Sequence, residues 1–237
     1  MTALLDLSGI RIRRSGRLVL DQVDLQLETG ERLALAGANG AGKTTLLRTI
    51  VGLETPEAGE IIAFGRHRHD EDDFRDLRLR VGFLFQDSDD QLFAPTVIED
   101  VAFGPLNLGF TPSQAIERAQ AVLTDLDLLP LERRVTHHLS GGEKRLVALA
   151  GVLAMDPDVL LLDEPTNALD EAHLARLTTI LAELPVAMIL VSHDAHFLAT
   201  LSTRAVLLEN GRLMPAVAHR HQHRHDHVHF HPIEETD

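Results

Sequence analysis

The stretch GANGAGKT, from Gly37 to Thr44, fits the pattern G-x-x-x-x-G-K-[ST]; a short apolar run precedes it and a helical one follows. In that setting the main-chain N–H groups of Gly37, Ala38, Asn39, Gly40, Ala41 and Gly42 can point at phosphate oxygens, and the helix start adds positive potential. Lys43 is placed to reach β- and γ-phosphates, Thr44 to ligate magnesium, and Thr45 to assist. A glycine-rich turn that only opens a helix is the plainer alternative, and the flanking elements count against it. A second group is VLLLDEP, where Asp163 and Glu164 follow a run that is apolar on both faces. The carboxyl end of a buried strand is where α/β sheets bind ligands. Asp163 would therefore hold magnesium, and Glu164 would polarise the water that attacks a γ-phosphate. Alone, Asp-Glu after a strand is more often a turn; beside a phosphate loop it points to hydrolysis. The third group, LSGGEKR, runs from Leu139 to Arg145 ahead of the apolar helix LVALAGVLA. Ser140 and Glu143 have capping-box spacing, although a cap needs neither Gly141 nor Gly142.

A last group is the tail HRHQHRHDHVHFH, in which His219, His221, His223, His225, His227, His229 and His231 occupy every second position. In an extended chain rising ~3.3 Å per residue, alternate side chains share a face about 6.6 Å apart. Imidazoles at that spacing can close on one divalent ion, and imidazole suits nickel, copper and zinc. A purification tag and a ligand-free polar tail are the duller readings. The interleaved pattern, which runs on into PIEETD, is unlike an uninterrupted tag, and so regular a set of histidines exceeds what a neutral tail requires.

These groups need elements to hold them. LVLDQVDLQL and RLALAG read as strands, and Leu46, Leu47, Ile50 and Val51 recur at helical spacing until Gly52. GEIIAF and RVGFLFQ read as further strands, separated by the charged RHRHDEDDFRDLRLR, a surface loop or exposed helix. From about 97 to 131 the pattern is helical, with QAIERAQAVLTDLDLL the clearest piece. VLLLDEP and VAMILVSH are buried strands with one helix between them, which argues for an α/β fold with a parallel sheet. AVLLENGRLM sets Asn-Gly between apolar segments, the signal of a hairpin.

At 237 residues the chain can hold one large α/β domain with an embedded subdomain. A formal net charge of -14 argues against nucleic acid or anionic lipid as the main partner. There is no cysteine, and the start MTALLDLSGIRIRR lacks an apolar run followed by a cleavage site, so a cytoplasmic location is expected. No run approaches the ~20 apolar residues of a membrane span, so a membrane role would work through another subunit.

GANGAGKTT, Gln86 after a strand, LSGGEKR, VLLLDEP, NALD and VSHD, in that order from about residue 5 to 214, resemble the ATP-binding-cassette ATPases. The resemblance implies a P-loop fold with a mainly parallel sheet, an antiparallel β-subdomain and a helical subdomain at about 87–155. On that reading the ATPase domain covers 1–217, with 218–237 as a flexible histidine-rich tail. It also implies ATP and magnesium as ligands, and a head-to-tail pair of cassettes in which Ser140, Gly141, Gly142 and Glu143 close on ATP held by the partner. Gln86 would sense magnesium, Asp170 would cross the interface, and His193 would contact the γ-phosphate and the attacking water; a satisfied core histidine is the alternative at 193. Two positions depart from the family pattern. Glu143 replaces the usual glutamine and adds negative charge near phosphate. The aromatic residue that usually stacks on adenine is replaced by Arg14, or by Arg13, whose guanidinium can stack on a π face.

FQDSDDQLFAPTVIEDVAFGPLNLG, from Phe85 to Gly109, is similar to the ATPase subunits of energy-coupling-factor importers, most of all those of nickel and cobalt systems. That implies an ATP-hydrolysing motor at the cytoplasmic face of the cell membrane. It would work as a homodimer or with a paired ATPase, together with a transmembrane coupling subunit and a substrate-binding membrane subunit. Leu92 and Phe93, close to Gln86, would pass motion to those subunits unless they are core residues. The alternatives are the ATPase of a vitamin-type importer, a soluble cassette acting on DNA or ribosomes, and a metal-storage protein. The acidic chain has neither a second cassette nor a coiled-coil arm to support the soluble reading.

Overall fold

The computed structural model describes residues 3–87, 91–222 and 226–232, those from 218 onward by their backbone alone. The chain divides into two units, one made of 1–78 with 185–237 and the other of 79–184. The first unit opens with β1 (Ala3–Arg14) and β2 (Arg17–Glu28), paired antiparallel through a Ser15-Gly16 turn whose residues both have positive φ. Two such residues make the tight turn whose twist suits a hairpin. The inner strand β1 escapes a reading by alternation because its register shifts between Leu7 and Ile10. β2 buries Leu20, then alternates from Val23 through Leu25 to Leu27 after an irregularity at Gln22, which has positive φ. β3 (Arg32–Ala36) leads into the phosphate loop and α1 (Lys43–Ile50). β4 (Ala58–Ala63) and β5 (Arg66–His67) complete a four-stranded antiparallel sheet of order β2-β1-β4-β5. The charged segment forms α2 (Glu71–Arg78), exposed apart from Leu77 on most of its length.

In the second unit β6 (Val81–Leu84) pairs in parallel with β7 (Val159–Asp163). Between them lie α3 (Val97–Asn107), α4 (Pro112–Asp125) and α5 (Gly141–Leu153), and α6 (Glu171–Glu183) follows. The helix starts are written in the sequence. Thr111 caps α4 in a reciprocal box with Gln114 and has Pro112 directly after it, and Ala115, Ala119 and Leu123 form its buried stripe.

The chain then returns to the first unit with β8 (Ala187–Val191), α7 (Ala195–Leu201), β9 (Arg204–Glu209), β10 (Arg212–Gln222) and β11 (Asp226–Pro232). β3 pairs in parallel with both β8 and β9. β3 and β8 are buried almost throughout, which is why they read as unbroken apolar runs. β9 and β10 join at Asn210-Gly211, both with positive φ, as the sequence signal requires. β10 and β11 pair antiparallel, with His219 opposite His229 and His221 opposite His227. His223 and His225 lie outside the described residues.

Candidate nucleotide site

In the first unit, β3 ends at Ala36 and the chain turns through Gly37, Gly40 and Gly42, all at positive φ, into α1. Two of these glycines are dictated by close approach. A Cβ on Gly37 would lie 2.6 Å from the Leu208 carbonyl oxygen, and one on Gly42 would lie 2.9 Å from a Val19 methyl. β9 and β2 therefore press the loop into shape. No side chain caps α1 at Gly42, which leaves its first amides to a ligand. Lys43 is buried, and its Nζ donates to the carbonyls of Gly37, at 2.7 Å, and Ala38, at 3.1 Å. The ammonium is thus held over the loop where phosphate oxygens would lie. A cleft of about 510 Å³ flanks Ala38, Asn39, Gly40 and Ala41, with Arg17 and Val19 on one wall and Glu209 to Gly211 on another.

Arg14 is ion-paired to Glu54, and Arg13 to Glu57. An edge-on carboxylate fixes a guanidinium plane and leaves its faces for stacking. The sequence reading passed over Arg17, which stands opposite Arg14 across the hairpin and lines the cleft with no ion pair among the described residues. At the carboxyl end of β8, His193 is exposed, so the core-histidine reading does not hold. Its turn is set by Asp194, which accepts from His196 and Phe197 N–H groups at 2.9 Å to start α7.

In the second unit, Asp163 and Glu164 are buried at the end of β7. Glu164 has φ 51, a left-handed backbone that a non-glycine residue adopts at a cost, and such strain gathers at functional sites. Gln86 is exposed just beyond β6. The following loop is tied back by Gln91, which accepts from the Phe85 N–H at 3.1 Å and donates to the Phe83 carbonyl at 3.2 Å. That role was not visible in the motif. Leu92 is a core residue, whereas Phe93 is 60% exposed and stacks edge-on against Phe103. Magnesium prefers oxygen donors in octahedral array. Thr44 in one unit and Gln86 and Asp163 in the other supply only oxygen donors, so their chemistry fits that ion.

Ser140 starts α5 as the capping-box reading requires. Its Oγ accepts from the Glu143 N–H, and the Glu143 carboxylate accepts from the Ser140 N–H at 2.7 Å. Arg134 lies 3.3 Å from the same carboxylate. The charge that Glu143 brings is therefore spent inside its own chain. The Ser140 N–H, with Arg134 adding to it, holds the Glu143 carboxyl below its ordinary range. A lowered folded value means that this stabilisation is whole above the unfolded carboxylate pKa and is lost as pH falls through the folded one. Glu143→Gln can still cap α5, so thermal melts at pH 7 should match the parent within about 0.5 kcal/mol. The parent should lose more stability than the variant as the pH drops below ~4, since both keep the lowered carboxyls of Asp21, Glu31, Asp73 and Asp170 and only the parent has that of Glu143. Gly142 has the His173 ring where a Cβ would fall, at 2.8 Å. His173 in turn lies 2.7 Å from Asp170, which caps α6. Asp170 thus has local work and remains largely exposed.

A strand, a glycine-rich phosphate loop, an α/β sheet with two carboxylates at a strand end and an inserted helical segment define a P-loop ATPase. The ABC transporter family profile matches residues 20–167, and the chain belongs to the ATP-binding proteins of that family. It is 59% identical over 99% of its length to a putative ABC transporter ATP-binding protein of Brucella suis biovar 1, covering 98% of that protein. It is 46% identical, over 84% of this chain and 72% of the relative, to the cobalt import ATP-binding protein CbiO of Rhodobacter capsulatus. Among solved structures it resembles cbiO1 of Clostridium perfringens, part of the complex cbiONQ, with TM-score 0.81 and 31% identity over 90% of this chain and 88% of that one. The chain is thus an ABC transporter ATPase.

Proposed function

We propose that this ATPase drives an energy-coupling-factor importer for nickel or cobalt from the cytoplasmic face of the membrane. The observation that carries the reading is the segment around Phe93. Phe93, Phe103, Leu106 and Phe110 are 38–60% exposed in the stretch after Gln86, and large exposed apolar side chains mark a surface that another protein covers. A membrane coupling subunit fits, because no helix among the described residues is long and apolar enough to cross a membrane. Similarity to a cobalt import protein supports the metal. One phosphate loop and one LSGGE segment in the chain support pairing of two cassettes head to tail around two ATP molecules.

In the mechanism, the loop amides and Lys43 hold the β- and γ-phosphates, and Arg14 stacks on the base. Thr44, Gln86 and Asp163 would hold magnesium, which would supply positive charge to the phosphate oxygens. Glu164 takes a proton from water as that water attacks phosphorus, the bond to the bridging β-γ oxygen breaks, and ADP leaves. His193 orients the water and the γ-phosphate. The partner's ATP is closed by Ser140, Gly141 and Gly142, with Asp170 at the interface.

The histidine tail is proposed to buffer the cargo ion. The register that sets His219 opposite His229 and His221 opposite His227 supports this, since residues directly opposite in antiparallel strands have Cβ atoms ~5 Å apart. Imidazole also suits zinc and copper, so the tail alone does not choose the cargo. The test is copurification with membrane subunits, followed by nickel and cobalt uptake with the full chain and with residues 219–237 deleted. Stimulated ATPase and metal uptake are expected from both forms, with most calorimetric nickel binding lost on deletion and weakened in the full chain below pH ~6.5. Uptake of a vitamin instead of metal would replace the cargo, and unchanged metal stoichiometry would remove the tail's role.

A further inference from the structure

Arg145 stands one turn into α5, past the Ser140 cap, with only 4% of its surface exposed. Its Nη1 donates to the Phe85 carbonyl and its Nη2 to the Gln86 carbonyl, each at 2.6 Å. One fork therefore closes on two successive carbonyls some 60 residues earlier, where β6 gives way to the glutamine loop. Nε is buried and meets no acceptor among the described residues. Burial lowers the basicity of the guanidinium, and the charges of Asp87, Asp163 and Glu164 oppose that effect. A buried cation is costly unless well paired, and a neutral donor could have held a carbonyl. The bidentate geometry is what a lysine or an amide could not reproduce, because the fork fixes both the distance and the direction of two peptide units.

We infer that Arg145 is a positioning residue for ATP hydrolysis, fastening the main chain of Phe85 and Gln86 to the helix that begins with Ser140, Gly141 and Gly142. A helix moves as a rigid body, so displacement of its first turn is carried to the carbonyl of Gln86 through one side chain. Closure of the LSGGE segment on a nucleotide then sets the place of Gln86 without a separate sensor. The inference rests on the role proposed above for Gln86.

The test uses the full chain with magnesium and ATP. Arg145→Lys keeps the cation and loses the fork; Arg145→Met loses both. Misplacement of a positioning group by about 1 Å can cost ~10²-fold in rate. Accordingly kcat should fall by about that factor in both variants, with KM for ATP within about threefold of the parent. Amide exchange supplies a readout independent of turnover. In the parent, protection of residues 83–87 should rise in step with that of 140–145 when nucleotide is added, and in Arg145→Lys the two should part. A kcat for Arg145→Lys within twofold of the parent, or a KM effect alone, would overturn the inference. So would parent exchange at 83–87 that ignores protection at 140–145. If Arg145→Met does not fold, the lysine variant and the parent exchange decide. Gln86→Ala serves as a control: an unchanged kcat there would refute the role of Gln86, while the exchange data would still report on the tether.

Discussion

Glu164→Gln is expected to hydrolyse ATP ~10²–10⁴-fold more slowly than the parent while binding it within a few-fold, because positioned proton transfer is typically worth that much in rate. The carboxylate is buried at the end of β7 on a backbone with φ 51, so its placement is fixed by the fold before any ligand arrives. An amide is nearly the same shape but cannot take a proton from water. Bound ATP should then persist, and with it the nucleotide-held pair of cassettes. Sedimentation with ATP should show a stable dimer for the variant, where the parent's dimer decays with turnover. Parental turnover by the variant in the assembled transporter would assign the base elsewhere.

Lys43→Ala should instead weaken ATP binding, by about 10- to 100-fold. The ammonium is the one cation of the phosphate loop, and a hydrogen bond to a charged group is worth ~1.5–3 kcal/mol, where 1.4 kcal/mol is a factor of ten. The same change strips two partners from the carbonyls of Gly37 and Ala38. The loop should therefore loosen as well as lose charge. Titration with a fluorescent ATP analogue reads the affinity. Binding within twofold of the parent would show that the main-chain amides hold the phosphates without the lysine.

Much of this was legible because it is local. The phosphate loop, the carboxylates after VLLL, the Asn210-Gly211 hairpin and the Ser140 cap are each written in fewer than ten consecutive residues. What escaped depends on residues distant in sequence. Arg145 reads as one more charge at a helix start until the fold brings Phe85 and Gln86 to it. The added charge of Glu143 reads as a liability near phosphate, and Arg134 with the Ser140 N–H absorbs it. Arg14 reads as a free platform, whereas Glu54 holds it. β1 was hidden for a different reason, since its register shift breaks the alternation on which strand reading depends.

The order of strands in the first unit leaves β11 outermost. An outermost strand offers a row of unshared main-chain donors and acceptors, the usual template on which a second molecule can add its own strand. Here that strand reads DHVHFHP, in which the groups that could repel a neighbour are one carboxylate, Asp226, and imidazoles interleaved with valine and phenylalanine. Imidazole carries its charge only below pH ~6.5. Protonation of this border therefore adds local repulsion in mildly acidic buffer, while the chain as a whole, with a net charge of -14 at pH 7 and a sequence pI near 5.4, approaches neutrality there. Strand addition at the rim is then a hazard of neutral and alkaline stocks, separate from the loss of net charge in acid.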